Sequence, residues 1–211
     1  MADRADGRRV NLDEHFSLSV VIPTRGDVDM EPTLRLFREW VHTCDDIVVW
    51  DNSLRGDAAV YGRYAAIAEA KHNIIVTVDD DIVAWPALLN GLALAYEPGV
   101  VTCNMPQQFR KTGFYDDHAL VGFGAIFDRD LPDQAFRRFL DSGVFVADAF
   151  ADERWFDRTC DVVFTGLTPR KLVDLPYTNR EFASAPNRMW RQPDHVGERT
   201  RMLDLVRRVA A

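Results

Sequence analysis

The chain has 211 residues, 47% hydrophobic, 11% aromatic and 27% charged, a composition that excludes a disordered or fibrous protein and suits one packed domain rather than two. Its 25 Lys and Arg against 33 Asp and Glu give a net charge of -8, which argues against a partner held by bulk positive field. The charge is unevenly placed: residues 169–211 hold nine basic and five acidic side chains, a surplus of four, whereas the first 168 hold 16 basic and 28 acidic, a deficit of 12. That asymmetry puts the expected anion-binding surface toward the C-terminus.

In chain order, residues 1–17 form a polar leader with no apolar core of a secretory signal. Leu18 to Ile22 is a short apolar run stopped by Pro23, read as a buried strand and followed by the polar Thr24-Arg25-Gly26-Asp27. Glu31 to Thr43 spaces Leu34, Phe37 and Val41 by three and four, which predicts an amphipathic helix. A second strand is predicted at Asp46 to Trp50, a helix over the Ala-rich stretch Ala58 to Ala70, and a third strand at Asn73 to Val78, ending in Asp79-Asp80-Asp81. Pro86 to Leu94 reads as a helix opened by proline, and Gly99 to Cys103 as a fourth strand. Later elements are less regular: a glycine-interrupted strand at Val121 to Phe127, a helix at Asp133 to Leu140, short strands at Asp161 to Phe164 and Lys171 to Leu175, and a helix at Arg199 to Val209.

Strands alternating with helices imply an α/β fold with a mostly parallel central sheet and helices on both faces. Ligands of such sheets bind at the carboxyl ends of the strands, where the polar loops gather. Residues 18–211 are taken as one domain, with a ligand-binding half at about 18–105 and a second half with the basic segment at about 106–211. Cys44, Cys103 and Cys160 are far apart and odd in number, which fits neither a disulfide framework nor a cysteine metal site and suits a reducing cytoplasm. Nowhere do 18 apolar residues run together, so no membrane partner is expected.

Asp79-Asp80-Asp81 is the most informative feature. Adjacent carboxylates repel one another by about 1 kcal/mol or more per pair unless a cation or solvent relieves them. Oxygen ligands of this kind suit a hard divalent ion such as Mg2+ or Mn2+, which commonly binds a substrate phosphate as well. A solvated acidic turn capping the next helix is the plainer alternative.

With SVVIPTRGD at 19–27, VVWDNS at 48–53, IVTVDDDIV at 75–83 and ADERWF at 151–156, the chain resembles a GT-A (Rossmann-like) glycosyltransferase, near the family 2 group of inverting enzymes. The resemblance implies a nucleotide-sugar donor held by Pro23, Thr24, Arg25 and Asp51, with Asp80 beside it. It maps the family's DxD onto Asp79 and Asp81, with Asp81 the direct metal ligand and Asp79 nearer the ribose or metal waters. It also implies a late histidine, His195, completing the metal site or touching the diphosphate. Transfer of a glycosyl group expels a nucleoside diphosphate, whose developing charge a carboxylate-held divalent ion neutralises. An inverting displacement further needs a carboxylate base, which the resemblance places at Asp152 or Glu153. The family's usual Glu-Asp is here Ala-Asp-Glu, so the choice between them stays open. Arg188, Arg191 and Arg199 are candidates for the same diphosphate, because guanidinium forks match phosphate oxygens.

No residue argument fixes the acceptor. Arginines interleaved with Tyr177, Phe182 and Trp190 have a composition that binds phosphates and stacks an extruded base. DDDIV, GFGAIF, ADERWF and NRMW also resemble the small phage and base J-associated glycosyltransferases of DNA hydroxymethylpyrimidines. The expectation is therefore transfer of a hexose, glucose for preference, from a UDP-sugar to the hydroxyl of a 5-hydroxymethylpyrimidine in DNA. The alternatives are a family 2 enzyme acting on a saccharide or small molecule, a sugar-1-phosphate nucleotidyltransferase, and a non-catalytic nucleotide-sugar binding module. Gly122-Phe123-Gly124 reads as backbone thinning near an acceptor pocket or as a strand bulge, and Trp40, Trp50 and Trp85 as core or rim.

Overall fold

The computed structural model describes residues 17–40, 46–144, 154–179 and 188–211. A six-stranded sheet is built from β1 (Ser19–Thr24), β2 (Asp46–Asp51), β3 (Ile74–Thr77), β5 (Val101–Asn104), β6 (Ala125–Asp128) and β7 (Arg170–Val173), in the order β2-β1-β3-β6-β5-β7. β1 runs parallel to β2 and β3, and β5 parallel to β7, while β6 lies antiparallel between β3 and β5. The sheet is thus mostly parallel, with one reversed strand, and is flanked by helices. It is held in register from Ser19 opposite Asp46 and Ile75.

The pleat explains why the strands read as continuous apolar runs. Successive side chains point to opposite faces, and each face meets its own core. Val20, Ile22, Val76 and Ile126 pack with Phe37 of α1 (Glu31–Glu39) and with Leu88, Leu89 and Leu92 of α4 (Pro86–Ala95). Their neighbours Val21, Ile75 and Phe127 pack on the other side. There they meet Phe136 and Phe139 of α6 (Leu131–Asp141), Phe164 of α7 (Trp155–Leu167), and Leu203 and Val206 of α8 (His195–Ala210). Both faces must be apolar because both are covered.

Several elements differ from the sequence reading. Asp161 to Phe164 is no strand: it lies inside α7, whose buried residues include Cys160, Val162, Val163, Phe164 and Leu167. A helix clamped between others is apolar nearly all round, and its β-branched run then imitates a strand. The Ala-rich stretch is three short pieces rather than one helix: a 3-10 turn at Ala59–Tyr61, α3 (Gly62–Ala66) and a second 3-10 turn at Ile67–Glu69. Of the strand expected from Val121, only Ala125–Asp128 pairs, since Gly124 sits at φ 113 and turns the chain before β6. The short helices α2 (Asn52–Arg55) and α5 (Gln107–Arg110) and the two-stranded ribbon of β4 (Ile82–Val83) with β8 (Thr178–Asn179) were not expected. Among the described residues no helix is long and apolar enough to cross a membrane.

Candidate functional site

The carboxyl ends of β1, β2 and β3 border a cleft of about 530 Å3. Pro23, Thr24 and Arg25 enter it from β1, Asn52, Ser53 and Asp57 from the segment after β2, and Asp79, Asp80 and Asp81 from the segment after β3. The remaining wall includes Arg154 and Arg158 from the start of α7, and Arg188, Met189 and Gln192. Parallel strands bring these loops to one edge because each crossover returns the chain to the same end of the sheet.

The three aspartates have three different settings. Asp80 is buried, accepting from Thr24 Oγ1 at 2.8 Å and from Arg188 Nη1 at 3.0 Å. It therefore ties the end of β1 to the C-terminal segment and is neutralised within the protein. Asp79 accepts from Arg63 Nη2 at 2.6 Å, and its backbone N–H donates to Gly122 O at 2.9 Å. Gly122 is needed for this approach: a Cβ there would stand 2.0 Å from Asp79 Oδ2. Desolvation outweighs the charge of Arg63 and raises the Asp79 carboxyl above its ordinary range. Asp81 makes no ion pair among the described residues. Burial first, then the charges of Asp79 and Asp80, push its carboxyl up to about 7.

Arg63 is the main participant that the sequence reading missed. It is 1% exposed, on α3, between Asp79 and Asp161, whose Oδ2 is 3.9 Å from Arg63 Nη1. Burial opposes its charge, but Asp161 and Asp79 outweigh burial and hold the guanidinium protonated. Asp161 is fixed in turn by Tyr64, whose hydroxyl donates to Oδ1 at 2.6 Å. A lone arginine in an alanine-rich run was the available signal: a charge in an apolar stretch is buried only when paired.

Arg154 and Arg158 were also missed. Arg154 Nη1 lies 3.1 Å from Asp57 Oδ2, and its Nη2 donates to Asp57 O. Arg158 grips Glu198 through both carboxylate oxygens, at 2.8 and 2.5 Å. The lining holds five arginines (Arg25, Arg63, Arg154, Arg158, Arg188) and four aspartates (Asp57, Asp79, Asp80, Asp81). Arg158 is paired with Glu198, Arg63 with Asp79 and Asp161, and Arg25 and Arg188 lie 3.9 and 3.8 Å from Asp27, so the cleft is rich in both signs of charge rather than net positive.

Of the residues proposed from sequence, Pro23, Thr24, Arg25, Asp79, Asp80, Asp81 and Arg188 are brought together here. Asp51 does not line the cleft but orients Ser53, which does, by accepting from its N–H at 2.8 Å and its hydroxyl at 2.6 Å. Arg191 and His195 do not border it. His195 opens α8, and burial, then the charge of Arg199, lower its imidazole to about 4. Asp152 and Glu153 lie outside the described residues, as do Phe182 and Cys44. The expected basic surface of the tail is also corrected: of its described basic residues Arg188 alone borders the cleft. Others are tied up locally, Arg201 to Asp194 at 2.6 Å, Arg207 to Asp117 at 2.7 Å and Lys171 to Ala95 O at 3.2 Å.

Among the described residues no three His, Cys, Asp or Glu side chains converge as a closed metal cage. The acidic cluster still fits a hard divalent ion, because Mg2+ commonly uses one or two carboxylates and completes its shell with water and phosphate oxygens. Asp81, with no ion pair among the described residues and bordering an arginine-lined cleft, could supply that kind of half-site. No protein-family model matches the sequence, and no curated protein matches it.

Proposed function

We propose that the chain is a GT-A glycosyltransferase that moves a hexose from a UDP-sugar to the hydroxyl of a 5-hydroxymethylpyrimidine in DNA. One observation carries the reading: an acid cluster at the end of β3, in which Asp81 makes no ion pair among the described residues, borders a cleft lined by Arg25 at the end of β1 and by Arg63, Arg154, Arg158 and Arg188. Carboxylates and guanidinium groups along one wall suit a ligand made of a diphosphate and a divalent cation. Asp81, with Asp79, would hold Mn2+ or Mg2+, which when bound neutralises charge developing on the leaving diphosphate.

The protein's own groups do the rest. Arg63 fixes the Asp79 carboxylate from behind, and Asp80 holds Thr24 and Arg188 in place. Arg25 and Arg154 border the cleft at partly exposed positions and are assigned to the diphosphate oxygens. Asp152 or Glu153, which directly precede Arg154 in the sequence, are assigned as the base that takes the acceptor's proton. The DNA acceptor is supported by a ring cluster following Gly122. Phe123 lies 4.9 Å from Tyr177 and 5.3 Å from Phe109, centroid to centroid, and all three are partly exposed, a surface on which an extruded base can stack.

The test is mass spectrometry of nucleosides after the protein is incubated with hydroxymethylcytosine or hydroxymethyluracil DNA, Mn2+ and a panel of nucleotide sugars. Addition of one hexose to either base, absent with unmodified DNA and abolished in Asp81→Ala, is the expected result. Donor hydrolysis that survives Asp81→Ala would remove the metal mechanism, and transfer unchanged in both Asp152→Ala and Glu153→Ala would remove the base assignment.

A further inference from the structure

Arg199, in α8, is only 6% exposed, and its Nε and Nη2 have no hydrogen-bond partner among the described residues. These two nitrogens form one edge of the guanidinium, the edge whose parallel N–H bonds match two oxygens of a single anion. Arg158 supplies the comparison on a neighbouring helix, where the same two nitrogens donate to both carboxylate oxygens of Glu198. A buried guanidinium without a counter-charge is costly, and buried polar atoms without partners are rare enough to require a cause.

A second buried group has the same peculiarity. His118 is fully buried, and neither ring nitrogen has a partner. Its ring packs 4.9 Å from that of Tyr115. The segment carrying both is strapped to α8 by Arg207, whose Nε and Nη2 donate to Asp117 Oδ2 at 2.8 and 2.7 Å. Arg199 stands eight residues before Arg207, about 12 Å along α8 from that strap. After burial, the charge of Arg199 is the leading influence on the His118 imidazole, which it lowers, and it acts in the same direction on the Tyr115 hydroxyl.

We infer that Arg199 and His118, with Tyr115 beside them, form a second anion site between α8 and residues 113–118, which takes a phosphate oxyanion on the Nε and Nη2 edge of Arg199. None of the three residues lines the cleft, and the inference is independent of the glycosyl-transfer reading. A carboxylate has the same two-oxygen geometry, but phosphate carries the greater charge and gains more from a buried guanidinium.

Thermal unfolding of the full chain, with inorganic phosphate titrated into a phosphate-free buffer, tests this for wild type, Arg199→Met and Arg199→Lys. Phosphate bound by the cleft arginines raises all three alike and drops out of the difference. Wild type is expected to gain about 2–4 °C over Arg199→Met, saturably, with Arg199→Lys, which keeps the charge without the fork, gaining less than half of that. Acetate at the same concentrations is expected to do less than phosphate, and an equal gain with acetate would overturn the phosphate assignment. A difference between wild type and Arg199→Met that phosphate does not change overturns the site. So does an Arg199 Nε–H resonance that phosphate leaves unmoved in the wild-type protein, a readout that requires no variant to fold.

Discussion

At the scale of single residues, three consecutive carboxylates of one type do three different things. Asp80 is buried in a pair with Arg188 and a hydrogen bond from Thr24, so Asp80→Ala strips a buried guanidinium of its nearest carboxylate, leaving Asp27 at 3.8 Å, and leaves Thr24 without this acceptor. It is expected to lose about 1–3 kcal/mol in urea unfolding. Asp81 has no counterion among the described residues and stands beside two like charges. Asp81→Asn removes that repulsion and is expected to leave stability unchanged or raised, while donor turnover falls at least about 100-fold. Equal stability losses in the two variants would contradict the division of roles. Gly122→Ala places a methyl 2.0 Å from Asp79 Oδ2 and displaces that carboxylate. Its expected signature is weakened Mn2+-dependent UDP binding in calorimetry together with a loss of about 1–3 kcal/mol in urea unfolding.

At the scale of elements, the packing of α8 on residues 113–118 carries a pH dependence. Burial, then the charges of Arg199 and Arg170, lower the His118 imidazole to about 3. The folded state therefore refuses a proton that the unfolded chain accepts near its ordinary pKa of about 6.5. Stability is full above that value and declines as pH falls from about 6.5 toward 3. In phosphate-free buffer the decline attributable to His118 is expected to reach about 2–3 kcal/mol at pH 4.5, with His118→Phe showing a flatter profile in urea unfolding at pH 7 and 4.5. The same scale explains α7. Val162, Val163 and Phe164 are strand formers by local preference, yet contacts with α6 and α8 on either side make a broad apolar helix the better burial.

At the scale of the whole molecule, the arginines that line the cleft converge from separate parts of a chain of net charge -8. Arg25, Arg63, Arg154 and Arg158 all lie in the first 168 residues, which carry the acidic excess. Only Arg188 comes from the basic tail. Donor affinity is thus expected to fall about tenfold in Arg154→Ala, measured as UDP binding at fixed salt. In Arg201→Ala or Arg207→Ala, whose guanidinium groups are held by Asp194 and by Asp117 with Asp204, it should stay within about twofold.

The sequence by itself determined the layered α/β plan. Apolar runs at β1, β2, β3 and β5 are long enough for strands and are separated by helical spacing, and a strand covered on both faces leaves that mark without help from its neighbours. It also located the acid cluster and the Pro23-Thr24-Arg25 turn, because polar loops at strand ends are read directly from the chain. Tertiary structure alone decided the reversed placement of β6 between β3 and β5, the helical state of residues 161–164, and which aspartate makes no ion pair among the described residues. Those outcomes depend on groups that are neighbours only after folding: Arg63 at Asp79, Arg188 at Asp80, Gly122 against the carboxylate. Local patterning records how a segment is covered, whereas charge pairing is a property of three-dimensional distance, so the site's residues could be proposed from sequence but their division of labour could not.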